Sequence, residues 1–191
     1  DLVGGTVVSS RLLNYPKVLK EPDKKVNLLS AYGDNMFIAQ SGLLSRQSAP
    51  NHTSQYRSVQ TDYELAENAE EIRVPLTWQS EDGVLVTKTF IFRRGKYAIE
   101  IRHQLENNSN EAWSGSRYDQ LQRTVPASDD DGGFTNPGRY SFNGIAFYSP
   151  EEKFEKVDFD EVEDDPYRKT RGRMAGHDPA LFLRSLDSTG R

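Results

Sequence analysis

Cysteine is absent from all 191 residues. Disulfide staples, thiol catalysis and Cys-based zinc sites are therefore excluded, while the redox compartment stays open, because a periplasmic domain can be stable without disulfides as well as a cytosolic one. No apolar run approaches the roughly 18 residues of a membrane-spanning helix, and there is no apolar signal-peptide core. The chain opens on Asp1 rather than Met and reads as an excised piece of a longer protein. Histidine is scarce. His52, His103 and His177 stand alone, none at His-x-x-x-His spacing, so no metal site is expected. A P-loop, a dinucleotide fingerprint and a nucleophile elbow are all missing, and neither catalytic residues nor a cofactor-binding set is expected. The net charge of −5 is uneven: from Arg168 onward six basic residues face two acidic ones, which leaves −9 on residues 1–167. An acidic body lacks the basic face that a phosphate backbone needs, so nucleic acid is not expected as a partner. Close approach of the body as a whole to an anionic lipid surface is disfavoured for the same reason.

What is present is a long stretch of period-two alternation. Ile72, Val74, Leu76 and Trp78 alternate with polar residues, Val84, Val86, Phe90 and Phe92 repeat the pattern after Asp82-Gly83, and Tyr97, Ile99, Ile101 and Leu105 repeat it after Arg94-Gly95. Alternation broken by glycine turns predicts three antiparallel strands with one buried face. Val74, Leu76, Phe90, Phe92, Tyr97, Ile99 and Ile101 are expected on that face. Further strands are expected near Gly5–Leu13, with a break at Tyr15-Pro16 and a charged turn over Lys20–Lys25, and then at Val26–Ala31, Met36–Gln40, Tyr56–Tyr63, Arg117–Val125, Tyr140–Tyr148 and Val157–Val162. Ser45–Arg57 and Ser128–Arg139 read as loops. Ser149-Pro150-Glu151-Glu152 has the signature of a short helix start, with Ser149 as N-cap. About ten short strands at this spacing make an all-β antiparallel sandwich or barrel with minor α content.

His103 is in phase with Ile101 and Leu105, so it is expected to point inward as a packed residue. Nine carboxylates against two lysines crowd residues 151–165. Asp158, Asp160, Glu161, Glu163 and Asp164 could surround a cation, but EF-hand spacing is missing and a solvated acidic face is the better reading. Tyr140, Phe142 and Tyr148 share one parity and Phe147 takes the other, so one aromatic face of this segment is expected to be partly exposed or covered by something else, with core packing the default reading. These four residues are the candidate partner-binding set, and a groove lined by aromatics would suit an extended peptide or a sugar-like ligand.

Several pieces occur in a specific order: Gly4-Gly5 before a strand, Tyr15-Pro16-Lys17, Phe37-Ile38-Ala39-Gln40-Ser41-Gly42-Leu43, Val74-Pro75-Leu76-Thr77, Lys88-Thr89-Phe90 with Arg94-Gly95-Lys96-Tyr97, and Tyr148-Ser149-Pro150-Glu151-Glu152-Lys153-Phe154-Glu155-Lys156. Over residues 1 to about 163 this order resembles the large periplasmic domain of the YidC-type membrane protein insertases of Gram-negative bacterial inner membranes. The resemblance implies a β-supersandwich similar to galactose mutarotase, with a short helix near the C-terminal end. It implies a parent, anchored in the inner membrane on both sides of this domain, that inserts and folds nascent inner-membrane proteins alone or with the Sec translocon. The domain itself would lie in the periplasm and meet the SecDF complex. Mutarotase chemistry needs a Glu with His partners, and here His103 alone lies on a strand of the body, facing inward. No catalysis is therefore expected, the alternatives being a non-catalytic carbohydrate-binding module or an aldose epimerase-like enzyme on the same scaffold. The pattern departs from the family after about Asp165. Residues 1–165 are thus expected to form a single sandwich domain, and residues 166–191 a basic tail that is an appended extension or poorly packed.

Overall fold

The computed structural model describes residues 1–33, 35–124, 142, 144–149, 153–159, 168–170 and 180–182. In chain order the strands are β1 (Ser9–Val18), β2 (Glu21–Ser30), β3 (Phe37–Ser45), β4 (Glu71–Gln79), β5 (Val84–Arg93), β6 (Ile99–Asn107), β7 (Gly115–Arg123), β8 (Gly144–Ser149), β9 (Lys153–Asp158), β10 (Arg168–Thr170) and β11 (Ala180–Phe182). The chain divides into two compact units, one of residues 1–31 and 38–122, the other of residues 32–37 and 123–191.

The first unit is a two-sheet sandwich. One sheet runs β1-β2-β3-β7 and the other β4-β5-β6, the latter antiparallel throughout and in unbroken register, with Leu76 opposite Lys88 and Lys88 opposite His103. The two turns of this sheet follow from local chemistry. Ser80 bonds Asp82 and both backbone groups of Val84 through its hydroxyl, and Gly83 and Gly95 take the positive φ values of 97° and 69° that a side chain would resist. Two apolar clusters fill the space between the sheets. Leu43 of β3 meets Val84 and Val86 of β5, flanked by Trp78, Leu105 and Trp113. Tyr56, Leu76 and Phe90 form the second cluster, flanked by Val7, Val74, Phe92 and Ile101. The alternation of β4, β5 and β6 is thus the alternation of a half-buried sheet.

Several expectations need correction. The chain does not break at Tyr15-Pro16: β1 runs through Pro16 with register shifts on either side of it. β1 is the edge of its sheet, where a missing N–H breaks no ladder. Glu21–Lys25 is strand rather than turn, leaving Leu19 and Lys20 alone to reverse the chain. Tyr56–Tyr63 makes only an isolated bridge, Arg57 to Thr77. Tyr97 is exposed, because the strand after Gly95 begins two residues later, at Ile99, and Tyr97 packs edge to face on Tyr15 instead. Ile99, the first residue of β6, is exposed as well rather than buried.

In the second unit β8 and β9 form an antiparallel hairpin with Ser149 opposite Lys153. Ser149 therefore ends a strand instead of capping a helix. Phe159, just after β9, is helical, so Val157–Val162 is not extended throughout. β10 and β11 pair across the basic C-terminal segment, Arg168 opposite Phe182. The loop expected at Ser128–Arg139 lies outside the described residues.

Candidate functional site

Two arrangements stand out, one buried in the first unit and one exposed in the second. The buried one is set by strand parity. Val84, Val86 and Phe90 of β5 face the core, so Lys88, in the same phase, must face it too, and its side chain is fully buried. An ammonium group carries three N–H donors. Lys88 Nζ gives one each to the carbonyls of Gly4 at 2.8 Å, Gly5 at 3.1 Å and Ser41 at 3.0 Å. It also lies 5.3 Å from the centre of the Phe90 ring and 5.8 Å from that of Tyr56. The glycines are required for this. Gly4 and Gly5 have φ values of 68° and 57°, which turn two successive carbonyls toward Lys88, and a Cβ on Gly4 would lie 2.1 Å from the His52 carbonyl oxygen. The Gly4-Gly5 pair in the sequence is therefore one half of a clamp whose other half is Lys88.

Burial pushes Lys88 down to about 8, with Arg117 adding to the fall and Asp119 opposing it. At neutral pH the group remains an ammonium, the form that satisfies three acceptors. On the neighbouring strand His103 does point inward, as its phase predicted. Burial, reinforced by Lys88 and Arg117, pushes it down to about 4, so it is neutral. Neither of its ring nitrogens has a hydrogen-bond partner, and the Ser41 and Tyr56 hydroxyls are likewise unpartnered. Burial raises the Tyr56 phenol above its usual range, so it stays protonated. The cluster holds general-acid and general-base groups, yet the 0% exposure of Lys88 closes it to a substrate. What it does in this arrangement is tie the N-terminal segment to β3 and β5. Among the described residues no group of three or more His, Asp or Glu side chains could hold a metal ion. Of the candidate cation ligands, Asp158 ends β9, and Asp160, Glu161, Glu163 and Asp164 lie outside the described residues.

The exposed arrangement is one face of the β8–β9 hairpin. Tyr148 stands directly opposite Phe154, and the two side chains are 66% and 61% exposed. Lys156, two residues on from Phe154 and so on the same face, places its ammonium 5.7 Å from the Phe154 ring centre and 4.8 Å from that of Phe142. The Phe142 ring covers Gly144, where a Cβ would approach it to 2.5 Å. On the other face Val157 is buried. Of the four predicted partner-binding residues, then, Phe142 and Tyr148 come together. Tyr140 and the side chain of Phe147 lie outside the described residues. Phe154 and Lys156 were not anticipated. Their signal is the hairpin register, which pairs 148 with 154 and cannot be read from the parity of one strand alone. A depression of about 550 Å³ at the end of β3 and the start of β7 is lined by Ser45, Arg46, Gln47 and Ser114. Two of its polar side chains are committed internally, Ser45 to the Ser114 carbonyl and Gln47 to that of Ala112.

Comparison with known proteins gives a consistent result. Residues 1–177 match the family model described as the YidC periplasmic domain. The chain is similar to the membrane protein insertase YidC of Nitrosococcus oceani, 39% identical over 163 residues that make up 84% of this chain and 29% of that protein. It is similar to that of Methylococcus capsulatus at 38% over 164 residues, 85% and 29% of the two chains. The Aeromonas salmonicida insertase is 36% identical over 174 residues, 89% and 31% of the two chains. The chain thus spans about three-tenths of the length of the curated relatives it matches.

Proposed function

The chain belongs to the family of YidC periplasmic domains, and from that premise we propose that it is the periplasmic, non-catalytic, partner-binding part of an inner-membrane protein insertase. The parent assists the insertion and folding of nascent inner-membrane proteins, alone or with the Sec translocon, as the names of the relatives suggest for them. The domain's own task is a protein contact, with the SecDF complex as partner. Residues 1–165 act in this reading as one domain of mutarotase-like supersandwich form, and the basic residues 166–191 are an appendage.

The observation that carries the proposal is the Tyr148–Phe154 pair. Two large aromatics directly opposed on a hairpin, both mostly in solvent and with a third ring and a lysine beside them, form the kind of anchor cluster that dominates interface energies. Phe142 belongs to that face, Tyr140 shares its parity in the sequence, and Phe147 takes the opposite parity. Support for the non-catalytic part comes from Lys88 and His103, which offer acid–base chemistry only where no substrate reaches. The test is site-specific photocrosslinking in the full-length parent, with the probe at 148 or 154. Crosslinks to SecDF are expected there and not from a probe at Val59, an exposed position of the first unit. Equal crosslinking from all three positions, or none from 148 and 154, would remove the assignment. Heat released on titration with aldoses would favour the carbohydrate-binding alternative instead.

A further inference from the structure

The tip of the β1–β2 ribbon has an unusual composition for a turn. It consists of Leu19 and Lys20, closed by Val18 opposite Glu21. Two-residue hairpin loops favour Asn-Gly or Asp-Gly because the central residues need positive φ. Neither Leu19 nor Lys20 has one, and Leu19 is 92% exposed. Turn geometry therefore gives no reason for a leucine at this point. Val18 beside it is exposed, as are Leu13 and Tyr15 further along the same edge strand, where Tyr15 meets the exposed Tyr97. Lysines surround this apolar tip. Residues 17–25 carry Lys17, Lys20, Lys24 and Lys25 against Glu21 and Asp23, a net +2 inside a body of −9. Glu21 is already engaged by Lys24 at 2.6 Å.

An apolar tip among lysines, with tyrosines behind it, has the chemistry of a segment at a lipid–water boundary. Aliphatic side chains enter the acyl margin, lysine stems lie along it with their ammonium groups at the phosphates, and tyrosines settle at headgroup depth. We propose that the tip of the β1–β2 ribbon docks on an anionic phospholipid surface, Val18 and Leu19 entering the headgroup boundary while Lys17, Lys20 and Lys25 meet phosphates. The acidic body described from composition is an average, and this ribbon departs from it. The proposal does not rest on the partner-binding face, which belongs to the other unit.

The absence of cysteine makes the test direct. Leu19→Cys and Val59→Cys, each in the full chain, are labelled with an environment-sensitive fluorophore and mixed with vesicles of phosphatidylcholine alone or with about one-third phosphatidylglycerol. Val59 is an equally open control, at 88% exposed. The label at 19 is expected to shift to the blue and to be quenched by a bilayer-restricted quencher with anionic vesicles, and the label at 59 is not. Cosedimentation of the unlabelled chain is expected to weaken about tenfold in Leu19→Ser and about tenfold in Lys17→Gln with Lys20→Gln. No response at 19, an equal response at 59, or equal binding to neutral vesicles would overturn the proposal. Binding that none of these substitutions changes would also overturn it and would assign the attraction to the basic residues 168–191.

Discussion

Replacing Lys88 with methionine tests the clamp that holds the N-terminal segment to the sandwich. The side chain keeps its length and loses its three donors. The carbonyls of Gly4, Gly5 and Ser41, which accept from Lys88 at 2.8–3.1 Å, are left facing an apolar group. Each buried acceptor that loses its donor costs about 1–3 kcal/mol, so three cost about 6 kcal/mol. Against this stands the relief of burying an ammonium. The fall of Lys88 from 10.5 to about 8 corresponds to about 3 kcal/mol, at about 1.4 kcal/mol per pH unit. The net loss is about 3 kcal/mol, or a fall of about 1–1.5 M in the urea midpoint for a slope of about 2–3 kcal/mol/M. A local signature should accompany the global one. The amides of Gly4 and Tyr56, which bond the Ser54 and Leu2 carbonyls, should exchange with solvent faster than in the parent chain. A Lys88→Met chain as stable as the parent, with unchanged exchange at Gly4 and Tyr56, would refute the clamp.

Other expectations follow from the same packing. His103 titrates near 6.5 unfolded and at about 4 folded, so between those values the unfolded chain binds more protons. Stability should be full above pH 6.5 and fall by about 3 kcal/mol as the pH drops to about 4. His103→Phe removes two ring nitrogens that have no partner, so urea titrations of this variant should lose that slope, and parallel profiles would contradict the assignment. Phe90→Ala should cost about 3–5 kcal/mol by chemical unfolding, since Phe90 is a buried member of the second core cluster. Gly33→Ala, at φ 82° in open space, should cost only about 1–2 kcal/mol, whereas Gly4→Ala meets the His52 backbone as well and should melt at a far lower temperature.

The three strands β4, β5 and β6 were legible because each carries one apolar face and is bounded by a glycine turn. The first hairpin was half legible: strands were expected at Gly5–Leu13 and Val26–Ala31, which overlap β1 and β2, but the inner ends of the two strands and the tip between them were not. Pro16 and the charges of 20–25 look like breakers, and a tip exposed throughout residues 17–24 shows no apolar alternation to contradict them. Tyr97 and Ile99 were misplaced by carrying the phase of the alternation across Gly95 one strand-end too far. Lys88 sits in the phase of Val84, Val86 and Phe90, so its inward direction was written in the pattern. What could not be read was its set of acceptors, which lie 47 to 84 residues away in the chain and exist only once the sheets have packed. The exposed site was half legible on similar grounds. Parity brought Phe142 and Tyr148 together, but Phe154 and Lys156 join them through the register of a hairpin, and the proline and glutamates in its connection resemble a helix start.

The claim that this domain works through protein contact is tested most directly by the affinity of the full-length parent for SecDF with and without Tyr148→Asp and Phe154→Asp. Both side chains are exposed, so unfolding midpoints should be unchanged. Burying two carboxylates where two aromatic anchors stood should weaken binding by at least tenfold, since anchor residues are worth more than about 1 kcal/mol each. Unchanged affinity in a folded double variant would contradict the account.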